Sequence, residues 1–225
     1  MALEPWLKVW TNLPSFLQGL SLNLALLGGL LALGLVLGIL LAILEVYGSR
    51  PLRYAASAYV WLFRSIPEVL LLLLFWFGPA RFGVRLSPFA AAVLALGLRS
   101  AAYQAQIFRG ALRAVPAGQM LAARALGLSK FQAVRFVLLP QALRLSLAGW
   151  GNEFAVVLKD TTLAYAVGVA EVLQRARALS VVELPLTLPA YFTVALLFLG
   201  VTYGGLFALG ALERRLRIPG LEARR

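Results

Sequence analysis

Seven side chains stand out by type and position: Arg64, Glu68, Arg99, Tyr103, Gln106, Glu153 and Asp160. Each lies within, or at the end of, a long apolar run. A charge at the centre of a lipid bilayer costs about 3 kcal/mol on insertion scales. Such groups therefore face a polar cavity, pair with one another, or meet a polar ligand. The chemistry they offer is recognition of charge rather than bond making. The chain has no cysteine and no histidine, which removes thiolate nucleophiles, disulfides, the usual zinc sites and a histidine proton relay.

Three groupings carry the argument. Glu68 follows Pro67, whose missing N–H and ring break a helix and free a carbonyl. A broken helix beside a carboxylate builds a polar site in protein-lined space. Glu68 then either lines a path and meets an ammonium group, or pairs with Arg64 one turn earlier, or with Arg99. Tyr103 and Gln106 stand at i and i+3 on one helical face, set either to border a path or to bond a neighbouring helix. LKDTTLA, Leu158 to Ala164, concentrates Asp160, Thr161 and Thr162. These either hold an ammonium group or cap a helix. Glu153 has no motif spacing with the other acids that would make a catalytic pair.

The elements that hold these groups are set by composition. Of 225 residues, 61% are hydrophobic and 13% charged, with a mean hydropathy of +0.86. Water-soluble domains average about 45–50% apolar and about 25% charged. The fold class expected is an all-α integral membrane protein, a single domain over 1–225. Five spans are expected, at about 18–44, 54–78, 89–112, 136–158 and 188–212, with a loop over 113–135. The formal net charge of +12 fits arginines kept on the cytoplasmic side of a bilayer. The aromatic-plus-basic signature of a nucleic-acid module is missing.

The arginine-rich tail LERRLRIPGLEARR predicts a cytoplasmic C-terminus. Five spans then put the N-terminus outside. Loops carrying Arg81, Arg85, Arg175 and Arg177 fall outside as well, against the charge rule. The opening MALEPWLKVWTNLPSF lacks a basic region followed by a cleavage site, so it reads as a retained segment held at the interface by Trp6 and Trp10. LAYAVGVAEVLQRARAL reads as a short amphipathic helix at the outer interface, starting at Asp160 or Thr161.

One more stretch demands a purpose. LAARALGLSKFQAVRFVLLPQALR, Leu121 to Arg144, sets Arg124, Lys130, Arg135 and Arg144 among apolar side chains. Leu121, Ala125 and Leu128 recur on one helical face. Ala122 and Ala123 allow close approach by a partner. Gly127 is placed to end one helix and Ser129 to cap the next, while Pro140 bends the entry to the following span. Periodicity alone also admits a basic amphipathic loop resting on anionic lipid.

Ala122, Ala123, Gly127, Leu139 and Pro140 resemble the EAA loop of ABC importer permeases, and LPQALR is similar to their polar amino-acid branch. YVWLFRSIPEVLLLLLFWFG, SAAYQAQIFRGALRAVPAGQ and GNEFAVVLKDTTLA agree with it in order. The resemblance covers nearly the whole chain. It implies a type I permease fold in the cytoplasmic (inner) membrane, working by alternating access. It also implies a cytoplasmic coupling helix, with Leu121, Ala122, Ala123, Arg124 and Gly127 docking in a groove of an ATPase subunit. Further implied partners are a dimer of ATPase subunits, a second permease chain, an extracytoplasmic substrate-binding protein, an amino-acid substrate and membrane lipid. Glu68, Tyr103, Gln106, Asp160, Thr161 and Thr162 would line the substrate pathway. The chain has no GxxxxGK[ST] run, so ATP and Mg belong to the ATPase partner and this chain binds no cofactor.

Two positions depart from the family pattern. Leu121 replaces the usual loop glutamate, which moves docking toward apolar contact. Gln106 replaces a glutamate found in many relatives, which argues against a strongly cationic substrate. The other readings are an ion-coupled carrier or channel working alone, which leaves the loop unexplained, and a membrane enzyme, which lacks paired acids.

Overall fold

The computed structural model describes residues 4–216, so the basic tail beyond Leu216 lies outside it. Helix α1 covers Glu4–Thr11 and α2 covers Leu13–Tyr47. With 35 residues, α2 is about 52 Å long at 1.5 Å per residue. Pro14 sits in its first turn, where a missing N–H costs nothing. It stops at Gly48, whose backbone is extended, ahead of Pro51.

The run expected as one span at 54–78 is two helices, α3 (Arg50–Ser65) and α4 (Glu68–Ala80), bent by 103°. Pro67 explains the break. It disfavours the helical region for the residue before it, and Ile66 is extended at φ −91°, ψ 132°. Helix α5 (Pro88–Ala114) starts where the Ser87 hydroxyl accepts the Ala90 N–H at 3.1 Å. Then come α6 (Ala117–Ala125) and α7 (Lys130–Ala133). A π-helical turn, Val134–Leu138, leads into α8 (Leu139–Asp160). A 3₁₀ segment, Thr161–Val167, ends at Gly168 in the left-handed region, φ +95°. Helix α9 (Val172–Val182) and α10 (Thr187–Leu216) complete the described chain.

By length and apolarity, α2 and the α10 segment are able to cross a membrane, and the bent α3–α4 pair counts as a third, broken span. Helices α5 and α8, with 27 and 22 residues, are long enough but carry ionisable groups. Both are central. Helix α5 packs against α2, α3, α4 and α8. Its buried face is rich in small residues, among them Ala91, Ala92, Ala95, Gly97, Ala101, Ala102 and Ala105. Small residues let helix backbones approach, the driving geometry where lipid offers no hydrophobic contrast. Gly38 of α2 shows the closeness, since a Cβ there would lie 2.9 Å from that of Gln104. Helix α10 turns Phe192, Leu196, Leu199, Tyr203 and Phe207 outward, the pattern of a lipid-facing helix.

The segment after α8 differs from the expected helix starting at Asp160 or Thr161. The helix starts at Val172, because Glu171 caps it by accepting the Leu173 and Gln174 N–H groups at 2.9 and 2.7 Å. Trp10 is exposed, and Trp6 meets Phe192 of α10 edge-on at 5.6 Å.

Candidate functional site

Three interrupted or polar helices converge on Arg99. It stands 11 residues after Pro88 and 15 before Ala114, near the middle of α5. Its guanidinium is ion-paired with Glu68, at the first turn of α4, and with Asp160, at the last turn of α8, Nη1 to Oδ2 at 3.1 Å. The helix dipoles treat the two acids oppositely. Glu68 sits at a positive helix N-terminus, Asp160 at a negative C-terminus. Asp160 therefore depends on Arg99 more than Glu68 does.

The Tyr103 ring stands beside this cluster. Arg99 approaches its centroid at 4.6 Å and Arg64 at 4.9 Å. Arg64 is thus one turn before Glu68 yet does not pair with it. No described carboxylate lies within ion-pair distance of Arg64. Two cations flank one ring while both acids are committed to one of them. The cluster is balanced in charge but leaves one guanidinium without an ion pair among the described residues. Side-chain exposure is 11% for Arg99, 21% for Asp160 and 35% for Glu68, so both acids are more accessible than the guanidinium they share.

The other expected residues are placed elsewhere. Thr161 is fully buried. Its hydroxyl donates to the Leu158 carbonyl at 2.6 Å and accepts from Asn23 Nδ2 at 2.9 Å. Asn23 also donates to Glu171 Oε2 at 3.1 Å and accepts the Val172 N–H at 3.1 Å. Thr161 thus closes a buried tie between α2, the end of α8 and the start of α9. Thr162 donates to the Lys159 carbonyl at 2.8 Å. Gln106 leaves Tyr103 behind and donates to Glu45 Oε2 at 3.0 Å. Glu45, which sequence reasoning passed over, is buried. It accepts from Ser57 Oγ at 3.0 Å and faces Arg109 Nε at 3.6 Å. Glu153 accepts from Ser100 Oγ at 2.8 Å within the α5–α8 seam. The sequence signal for Glu45 is a single acid at the end of an otherwise uncharged span.

The elbow from α6 to α8 is built as its residues direct. Helix α6 ends at Ala125, and Gly127 takes φ +84°, a conformation that costs other residues about 1–2 kcal/mol. Arg124 Nη1 closes the turn on the Leu128 carbonyl at 2.8 Å. Ser129 and Gln132 form a reciprocal capping box. Pro140 cannot donate to the carbonyl four residues back, and the chain widens there: the Leu139 N–H reaches Val134 O, five residues away. The Gln141 amide satisfies the Val137 carbonyl at 2.8 Å.

The five docking candidates split. Ala123 is 3% exposed and packs inward with Phe108, Leu112, Ala133 and Leu138. It seats the elbow rather than presenting a surface. Leu121, Ala122, Arg124 and Gly127 face outward, and Leu121 and Leu126 are 71% and 84% exposed. Residues 34–218 match the family described as binding-protein-dependent transport system inner membrane component. The chain belongs to that family. It is a permease subunit of an ABC importer in the inner membrane.

The glutamine transport system permease protein GlnP of Escherichia coli (strain K12) is 34% identical over 217 residues, covering 95% of this chain and 98% of GlnP. The octopine transport system permease protein OccQ of Rhizobium meliloti is 36% identical over 200 residues, 83% of this chain and 84% of OccQ. A crystal structure of an amino acid ABC transporter with histidines superimposes with a TM-score of 0.83 at 31% identity, covering 93% of this chain and 98% of that one. An inward-facing MetNI methionine ABC transporter gives 0.76 at 25% identity, covering 94% and 98%.

Proposed function

We propose that this permease subunit carries a polar amino acid of no net charge past the Arg99 cluster. The observation that carries this reading is the uneven pairing: Glu68 and Asp160 share Arg99, while Arg64 stands over Tyr103 without a carboxylate. A zwitterion complements that arrangement. Its α-carboxylate meets Arg64 and the adjacent edge of Arg99. Its α-ammonium competes for Glu68 and Asp160, the two acids at the broken helix ends. Carrier sites built where helices are interrupted near mid-membrane are a recurrent solution. The remaining buried carboxylates near α5 are already engaged: Glu153 accepts the Ser100 hydroxyl, and Glu45 is held by Ser57, Gln106 and Arg109. Thr162 stays a pathway candidate next to Asp160, with Thr161 behind it.

The chain works in a complex. A dimer of ATPase subunits uses ATP and Mg, a second permease chain completes the cavity, and an extracytoplasmic binding protein delivers substrate. The five expected crossings put the N-terminus outside and the elbow and C-terminus in the cytoplasm. Helix α6 docks on the ATPase through Leu121, Ala122 and Leu126, whose exposure suits an apolar groove. Ala123 packs α6 against Phe108 and Leu112 of α5 and against Leu138 at the entrance to α8, so movement of the docked helix reaches Asp160 along α8. Opening the site alternately to each side follows from shifting α8 and α4 about Arg99.

The test is reconstitution with the ATPase and the binding protein, with ATP hydrolysis measured against a panel of amino acids. Neutral polar amino acids should stimulate hydrolysis and arginine should not. Uptake that persists without nucleotide or ATPase would overturn this reading in favour of a self-sufficient carrier. Gly127→Asp tests the docking half. A Cβ at Gly127 meets nothing within 4 Å, so the carboxylate would project toward the partner, while the positive φ adds about 1–2 kcal/mol of strain to the turn. The variant should insert normally and lose uptake, and normal uptake with normal ATPase association would remove the elbow from the mechanism.

A further inference from the structure

Beside the elbow, the end of α2 and the π-helical entrance to α8 enclose a cleft of about 540 Å³. Ile43, Leu44, Phe131, Val134 and Leu139 make its walls, and Tyr47 closes one end. Its rim is cationic. Lys130 and Arg135 both line it, and Arg50 and Arg53 begin α3 just past Gly48. None of these four is ion-paired with a described carboxylate. The Lys130 ammonium donates to the Tyr47 carbonyl at 2.7 Å, leaving protons for a second acceptor. Arg135 lines the cleft and stacks 5.5 Å from the Phe136 ring centroid. No acid lines the cleft among the described residues, and Glu45, one residue past Leu44, is buried and faces Arg109. An apolar trough under an uncompensated basic rim is complementary to one kind of molecule, an anionic amphiphile.

We infer that this cleft binds one anionic phospholipid from the leaflet on the elbow's side. An acyl chain lies along Ile43, Leu44 and Leu139, and the phosphate is held by Lys130 and Arg135. The location gives the lipid a consequence. Val134 lines the cleft and is also the residue whose carbonyl accepts the π-helical bond from Leu139. A bound chain therefore braces the joint between α7 and α8. This inference rests on the cleft alone and does not depend on which solute passes Arg99.

The test uses the full-length permease with its ATPase, taken through native mass spectrometry with phosphatidylglycerol or phosphatidylcholine added. One phosphatidylglycerol per permease should be retained more tightly than phosphatidylcholine. Lys130→Gln with Arg135→Gln should weaken that binding by roughly thirtyfold, each charge near an anionic headgroup contributing about fivefold. Arg81→Gln with Arg85→Gln, past the far end of α4, should leave it unchanged. Phe131→Trp supplies a second measurement. Brominated-tail phosphatidylglycerol should quench it more than brominated phosphatidylcholine does, above the signal of the native tryptophans. Equal retention or equal quenching of the two lipids would overturn the assignment. So would cross-linking from position 131 to the ATPase or to a second permease, which would make the cleft a subunit contact.

Discussion

Two polar clusters lie one residue apart on α5, and they are built to opposite specifications. Arg99 gathers Glu68 and Asp160 from the ends of interrupted helices, with both acids partly exposed. Ser100 and Gln104 face the continuous middle of α8. The Gln104 amide donates to Ser100 Oγ at 3.1 Å, Ser100 donates to Glu153, and the Trp150 indole donates to Gln104 Oε1 at 2.8 Å. Ser100, Gln104 and Glu153 are buried, and no buried side-chain polar atom among the described residues lacks a partner. The second cluster is saturated. The first has a spare guanidinium and exposed acids. Saturation and continuous helices mark a structural tie. Open valence at helix ends is what the proposed solute site requires.

The largest expected effect tests that division directly. Arg99→Leu leaves Glu68 and Asp160 without a counter-charge. Breaking a buried pair costs about 3–5 kcal/mol, and the exposure of these acids puts the loss at the low end. Uptake should vanish and the detergent-solubilised protein should melt earlier. Adding Glu68→Gln and Asp160→Asn should restore the melting temperature and leave uptake at zero. Recovery of uptake in that triple variant would mean that Arg99 only holds the helices together.

Next in size is a change of packing. A Cβ on Gly19 would lie 2.6 Å from the Val172 Cα, a backbone atom with nowhere to move. Gly19→Ala should separate α2 from α9 and cost about 1–3 kcal/mol. The melting temperature should fall, while the half-saturating substrate concentration of whatever protein folds stays constant. A changed half-saturating concentration would tie the outer turn to the solute path.

Arg64→Gln reverses that signature. Arg64 is exposed and in no ion pair with a described residue, so stability should hold. The half-saturating substrate concentration should rise about ten- to hundredfold, the worth of one hydrogen bond to a charged group. An unchanged value would assign the solute carboxylate to Arg99 alone.

Much of this architecture was readable from the chain. Pro67 announced the break before Glu68, and Gly127, Ser129 and Pro140 announced the elbow, because each acts through its own backbone. The pairing was not readable. Arg64 stood at the right spacing for Glu68, but the 103° turn at Pro67 takes Glu68 off that helix and across to Arg99. Tyr103 and Gln106 share a helical face only broadly. Their directions differ enough that one meets Arg64 and the other Glu45. Asn23 was hidden by its own success: a single amide in a long apolar run gives no hint of the Thr161 and Glu171 side chains it joins. Contacts set by tertiary geometry leave little trace in spacing.

The smallest expected effect sharpens the comparison most. Glu153→Gln keeps an acceptor for the Ser100 hydroxyl and replaces only a carboxyl that has no ion-pair partner among the described residues. An interhelical hydrogen bond in a membrane is worth about 0.6 kcal/mol, so even its complete loss would shift melting only slightly. Uptake rate and half-saturating concentration should both match the parent. Glu153 and Asp160 lie seven residues apart on α8 and so share nearly one face. If Glu153→Gln impaired uptake as Asp160→Asn does, the solute would have to travel along α8 past the seam. The open cluster at Arg99 would then be one station of a longer path rather than its centre.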